Sequence, residues 1–103
     1  MAHPHFPNRI LRLPAFDGPC DAFRLTANRC DVLFASYPSG TVIDPHSHET
    51  ENCGVITDGE LLLTVDGVEH CYGPGSWYHL APGQIHSARF EVDTSEVEFW
   101  FEA

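Results

Sequence analysis

The chain has 103 residues, enough for one domain, and a formal net charge of −10 from 15 acidic and 5 basic residues. Lysine is absent, and five arginines cannot build the clustered positive surface that nucleic acid or an anionic membrane requires, so neither partner is expected. Hydrophobic residues make up 43%, too many for a disordered acidic chain, yet no apolar run is long enough to span a bilayer.

Residues 1–20 hold four of the eight prolines, Pro4, Pro7, Pro14 and Pro19. Proline disfavours helix interiors and central strands, so this segment reads as an extended arm ahead of a domain covering 21–103. It lacks the apolar stretch of a secretory signal, which leads to an expected cytoplasmic location. Strand candidates follow at 22–26, 30–37 and 41–44. Residues 60–66 alternate, with Leu61, Leu63 and Val65 on one side. Asp66-Gly67 then predicts a type I′ hairpin turn, with 68–72 as the returning strand. Further turn signals stand at Asp58-Gly59, Gly73-Pro74-Gly75 and Pro82-Gly83. Across 86–93, His86, Ala88, Phe90 and Val92 share the apolar side. Across 96–102, the alternation places Val97, Phe99 and Phe101 inward and Glu96, Glu98, Trp100 and Glu102 outward. Linkers are too short for crossover helices, and no segment sustains a helical period. The prediction is an all-β fold of eight or nine short, mostly antiparallel strands in a single small sandwich or barrel. Leu62 and Trp100 break the polar pattern of their sides, and this predicts a homodimer interface through them. Cys20, Cys30, Cys53 and Cys71 contain no C-x-x-C pair and read as reduced, mostly packed thiols.

Seven histidines carry the chemistry. In His46-Ser47-His48, positions i and i+2 of a strand share a side, with Cα atoms roughly 6–7 Å apart. Two imidazoles so placed can chelate one ion; a polar surface loop is the plainer alternative. His86 falls on the apolar parity, where it is either a satisfied core residue or a third ligand. Extending the parity of His46 and His48 turns Asn52 inward and Glu51 outward. Trp77, Tyr78 and His79 precede the Pro82-Gly83 turn; Tyr78 or His79 could serve in proton transfer, whichever side of that strand faces inward.

These residues resemble the cupin superfamily. Gly40, five residues, His46-Ser47-His48, three residues, Asn52, six residues and Gly59 are similar to its first motif. Gly75, five residues, Ala81-Pro82-Gly83, two residues and His86 are similar to its second. The likeness covers about residues 30 to 102. Asn52 stands where the family has glutamate, Ala81 where it has proline, and Phe90 where it has asparagine. The resemblance implies a small antiparallel β-barrel, the double-stranded β-helix or jelly roll of cupins, often dimeric. It also implies one divalent transition metal (Fe, Zn, Ni, Mn or Cu) on His46, His48 and His86. Asn52 would serve as a neutral, weak fourth ligand or would orient a metal-bound water. Three-histidine cupin sites resemble those of thiol and diketone dioxygenases acting on a small organic substrate. Residues 75–88 also resemble effector-binding domains of arabinose-sensor regulators, so a non-catalytic module that binds a metal or small ligand is the alternative.

Overall fold

The computed structural model describes residues 11–18 and 20–102. Half of the expected arm, residues 1–10, lies outside these, as does Pro19. Among the described residues the strands are β1 (Ala15–Phe16), β2 (Asp21–Ala27), β3 (Cys30–Tyr37), β4 (Val42–His46), β5 (Glu51–Asp58), β6 (Leu61–Val65), β7 (Val68–Tyr72), β8 (Trp77–Leu80), β9 (His86–Arg89) and β10 (Thr94–Phe101). They form a six-stranded sheet in the order β1-β2-β3-β10-β5-β8 and a four-stranded sheet in the order β4-β9-β6-β7. Every pairing between them is antiparallel, as the short linkers require. The sheets face one another around a cavity in an all-β jelly roll, without closing into one hydrogen-bonded ring. Residues 15–16, read as part of the arm, instead add an edge strand beside β2. No helix among the described residues is long and apolar enough to cross a membrane.

Local chemistry sets the turns. Asp66 and Gly67 both have positive φ, 51° and 76°, and Val65 faces Val68 across the β6–β7 hairpin, so the type I′ expectation holds. Gly59 combines a φ of 85° with a tight approach: a Cβ there would lie 2.3 Å from the Asp93 carbonyl oxygen. The Thr94 hydroxyl donates to the Glu60 carbonyl and accepts from its N–H, fastening the β5–β6 turn to the start of β10.

The apolar core follows the alternation in most strands. Leu33, Ala35, Ile56, Leu61, Leu63 and Leu80 are all buried, and Tyr37 stacks on Phe90 with ring centroids 4.2 Å apart. β9 is shorter than the expected segment and stops at Arg89, which leaves Val92 exposed. The cysteines are free thiols; three are half-buried, and Cys71 is exposed rather than packed.

β10 reverses the expected parity. Glu96 and Glu98 are 2% and 3% exposed and line the cavity, as does half-buried Trp100. Their neighbours Val97, Phe99 and Phe101 take the opposite side, where Phe99 stacks against the exposed ring of Trp77. The physical reason is hydrogen bonding: buried Tyr37 on the adjacent β3 meets Glu98, and buried Tyr78 on β8 reaches across β5 to Glu96. Leu62, for its part, is buried at 9% exposure within the single chain. Leu62 is thus buried within the chain and Trp100 turns toward the cavity, rather than both facing outward as expected.

Candidate metal centre

His46 closes β4 and pairs directly with His86 at the start of β9, across a register shift between Ile43 and His46. His48 does not share a regular strand with His46, as the sequence suggested. It lies just past the end of β4, in a loop tied down by a 2.7 Å bond from the Gly83 N–H to its carbonyl. Pro82-Gly83, read as a turn, thus anchors the loop that carries a ligand candidate. One nitrogen from each of the three imidazoles lies within 4.8 Å of the others.

The ring nitrogens are already assigned by their partners. His46 Nδ1 lies 2.8 Å from the Asp44 carbonyl and His86 Nδ1 lies 2.9 Å from the Gln84 carbonyl. A carbonyl can only accept, so each Nδ1 carries the proton and, in the neutral ring, Nε2 keeps its lone pair. His46 Nε2 and His48 Nε2 are 3.0 Å apart. Two nitrogens each about 2.1 Å from one ion and at right angles would be roughly 3.0 Å apart, so this donor set fits a divalent metal. Burial, then the neighbouring His46 and His86, hold His48 down at about 4. Burial likewise lowers His86, with His46 adding to the effect. Both rings are therefore neutral near pH 7, the form in which imidazole ligates.

Asn52 is 3% exposed and lines the same cavity, and its Nδ2 donates to the Phe99 carbonyl at 3.1 Å. Its Oδ1 is the group free to turn toward a cation or its water. Glu51 faces outward, where its carboxylate meets His79 Nε2 at 2.6 Å in an exposed pair. β8 accordingly presents Tyr78 and Leu80 to the cavity and Trp77 and His79 to the outside. Of the two candidates for proton transfer, only Tyr78 stands in the cavity.

That cavity holds about 400 Å³ between the two sheets, with a wall of Leu33, Ile43, Leu61, Leu63, Leu80 and Phe90. Trp100 meets the His48 ring edge-on at 4.7 Å. Trp100, Glu98 and Glu96 follow each other on the inward side of β10, about 7 Å from one to the next. Trp100 Nε1 donates to Glu98 Oε1 at 3.1 Å, the Tyr37 hydroxyl donates to Glu98 Oε2, and Tyr78 Oη donates to Glu96 Oε1 at 2.5 Å. Burial, followed by the charge of Glu98, holds the Glu96 carboxyl well above its usual range. Burial and the carboxylates raise both phenols, and burial and Glu98 push the Cys20 thiol up to about 12, so it is no nucleophile. Tyr37, Glu96, Glu98 and Trp100 escape a reading by alternation. Residues 96–101 interleave apolar and polar side chains, so either side could turn inward. An inward tyrosine that needs an acceptor is the one signal that favours the carboxylates.

Residues 33–101 match the cupin domain family. The chain is 31% identical over 68 residues to the H2HPP isomerase of Bacillus subtilis, covering 65% of this chain and 29% of that protein. It is 36% identical over 62 residues to the beta-D-galactosidase Rv1717 of Mycobacterium tuberculosis, covering 60% of this chain and 53% of that one. The chain thus spans about a third of the first protein and about half of the second. The crystal structure of an RmlC-like cupin from Shewanella frigidimarina shares the fold, with a TM-score of 0.79 at 18% identity over 100% of this chain and 93% of that one. A match that runs from β3 through β10 and takes in all three histidines places the chain in the cupin family.

Proposed function

We propose that this protein is a mononuclear metal-dependent enzyme acting on a small organic molecule held between its two sheets. The observation that carries the reading is the convergence of three imidazole nitrogens, within 4.8 Å of one another, at one end of a cavity of about 400 Å³. His46, His48 and His86 would hold the ion, and the Asp44 and Gln84 carbonyls keep two of those rings in the ligating tautomer. A bound divalent metal supplies Lewis acidity to a substrate oxygen or, if redox-active, access to oxygen chemistry. Three neutral imidazoles and a neutral amide leave its full charge uncompensated. That supports a dioxygenase-like oxidoreductase as the finer reading.

Tyr78 favours a second reading. Its hydroxyl stands inside the cavity, bonded to Glu96, where a phenol and a carboxyl group can pass a proton to or from a substrate carbon or oxygen. Such chemistry suits an isomerase, as the relative from Bacillus subtilis is named. A non-catalytic binding or sensing module would need the histidines but no turnover.

Elemental analysis of tag-free protein comes first, with one transition metal per chain expected. Oxygen uptake by iron-loaded protein against small thiols and β-diketones then supports the oxidoreductase. Solvent deuterium entering a ketone substrate without oxygen uptake supports the isomerase. Metal held firmly without turnover of any probe supports the binding module. Wild-type protein that takes up no transition metal from an equimolar solution would remove the metal-dependent enzyme reading.

A further inference from the structure

Glu96 and Glu98 occupy a place where carboxyl groups are costly. They are 2% and 3% exposed, and no arginine is bonded to either among the described residues. Their protein donors are Tyr37 and Trp100 on Glu98 and Tyr78 on Glu96 Oε1. Glu96 Oε2 has no hydrogen-bond donor among the described residues, although its side chain lines the cavity. The neighbouring Glu98 can offer it only a proton held between the two carboxyl groups, and that arrangement still leaves the pair with one negative charge.

The layer therefore has acceptors to spare and donors already committed. Both phenol protons and the indole N–H point at carboxylates, whereas Glu96 Oε2 and the outer lone pairs of the phenol oxygens remain. A ligand carboxylate would be repelled here. A hydroxyl or ammonium group would supply the missing proton donor, and an ammonium would also balance the charge.

We infer that the layer formed by Tyr37, Tyr78, Glu96 and Glu98 is a ligand subsite that receives the hydrogen-bond donor end of a small molecule, a hydroxyl or an ammonium, at Glu96 Oε2. The other end of the molecule then lies toward the histidines, roughly 7–14 Å away along β10. Only that second placement rests on the metal-site reading; the layer itself does not need the ion.

The test uses the full chain loaded with zinc, with butylamine, 1-butanol and butyrate as probes of equal carbon length, followed through backbone amide shifts. Butylamine and butanol should saturate shifts in β8 and β10, and butyrate should not. Saturation by butylamine alone would identify an ammonium as the ligand group, and by butanol alone a hydroxyl. Glu96→Gln should weaken butylamine at least tenfold and butanol by less, because the amide keeps one acceptor oxygen but cannot ionise to balance an ammonium. Tyr78→Phe preserves the ring and frees Glu96 Oε1, so butylamine should bind it as tightly as wild type or tighter. This second variant decides the matter if Glu96→Gln fails to fold. Unchanged binding of both donor probes by Glu96→Gln overturns the inference. So does loss of butylamine by Tyr78→Phe, or butyrate occupying the layer as well as butylamine does. A His46→Ala/His48→Ala protein separates the two readings. Butylamine shifts retained there support the layer independently of zinc. Zinc bound by wild type with no donor-probe shifts in β8 or β10 refutes the layer alone.

Discussion

His48 and Asn52 stand four residues apart and offer a cation very different groups. An imidazole brings a strong nitrogen donor, already neutral because burial and its neighbours hold it at about 4. An amide brings a weak oxygen, and the Asn52 nitrogen is spent on Phe99. Loss of an outer partner costs a metal site about 10–100-fold, so His48→Ala should lower affinity by more than about 100-fold. Asn52→Ala should stay within about tenfold. Glu51→Ala should be silent, because that carboxylate sits outside with His79. Competition against a chromophoric chelator ranks all three. Gly54 makes another single-residue demand. A Cβ there would fall 2.3 Å from the Tyr78 hydroxyl and ring, and Tyr78 is buried with its hydroxyl held by Glu96. Gly54→Ala should destabilise by about 1–3 kcal/mol in denaturant melts through overpacking. Adding Tyr78→Leu should recover part of that loss, since the two substitutions act on one contact.

At the level of strands, much was legible. Asp66-Gly67 forced one hairpin because its φ angles permit little else, and the parity of His86, Ala88 and Phe90 survived because those side chains meet an apolar wall. Asn52 inward and Glu51 outward also held, since no bulge interrupts β5 between them and their partners on β8 and β10. β10 was not legible, and the reason is specific. Hydrophobic burial would favour Val97, Phe99 and Phe101 inside, but the interior here is partly a polar chamber, and Tyr37 and Tyr78 repay the burial of Glu96 and Glu98 by hydrogen bonding. The outer side of that sheet carries an apolar contact of Trp77 on Phe99 beside the exposed Glu51–His79 pair. The two tryptophans test this arrangement. In Trp77→Phe protein the remaining emission comes from Trp100 and should change when metal is added, because that ring touches His48. In Trp100→Phe protein the emission should be that of a solvated indole, because Trp77 is 58% exposed, and should ignore the metal.

Across the whole molecule, two groups, half-buried His48 and buried Glu96, tie stability to pH with opposite signs. His48 titrates near 4 in the fold against an ordinary 6.5. The unfolded chain therefore takes up that proton first as pH falls, and the metal-free protein should lose stability between about 6.5 and about 4. Glu96 is held above its ordinary 4.5. The unfolded chain releases that proton first as pH rises, so stability should erode on the alkaline side of that value. Chemical denaturation of chelator-treated protein should thus show a maximum rather than a plateau. His48→Gln should flatten its acid limb and Glu96→Gln its alkaline limb.

The main-chain carbonyls of Asp44 and Gln84 hold the protons of two imidazoles, and no side chain takes part in that grip. Replacing residues finds only what side chains contribute, so a scan of the surroundings would pass over this support in silence. Asp44→Ala, for instance, keeps the carbonyl and should leave metal affinity where it was. The support is written into the backbone, and only a change of backbone can erase it. An ester in place of the amide between Gln84 and Ile85 weakens that carbonyl as an acceptor and alters no side chain. A genetic survey would credit the centre to three histidines alone, while a chemically synthesised chain would reveal the rest of its framework.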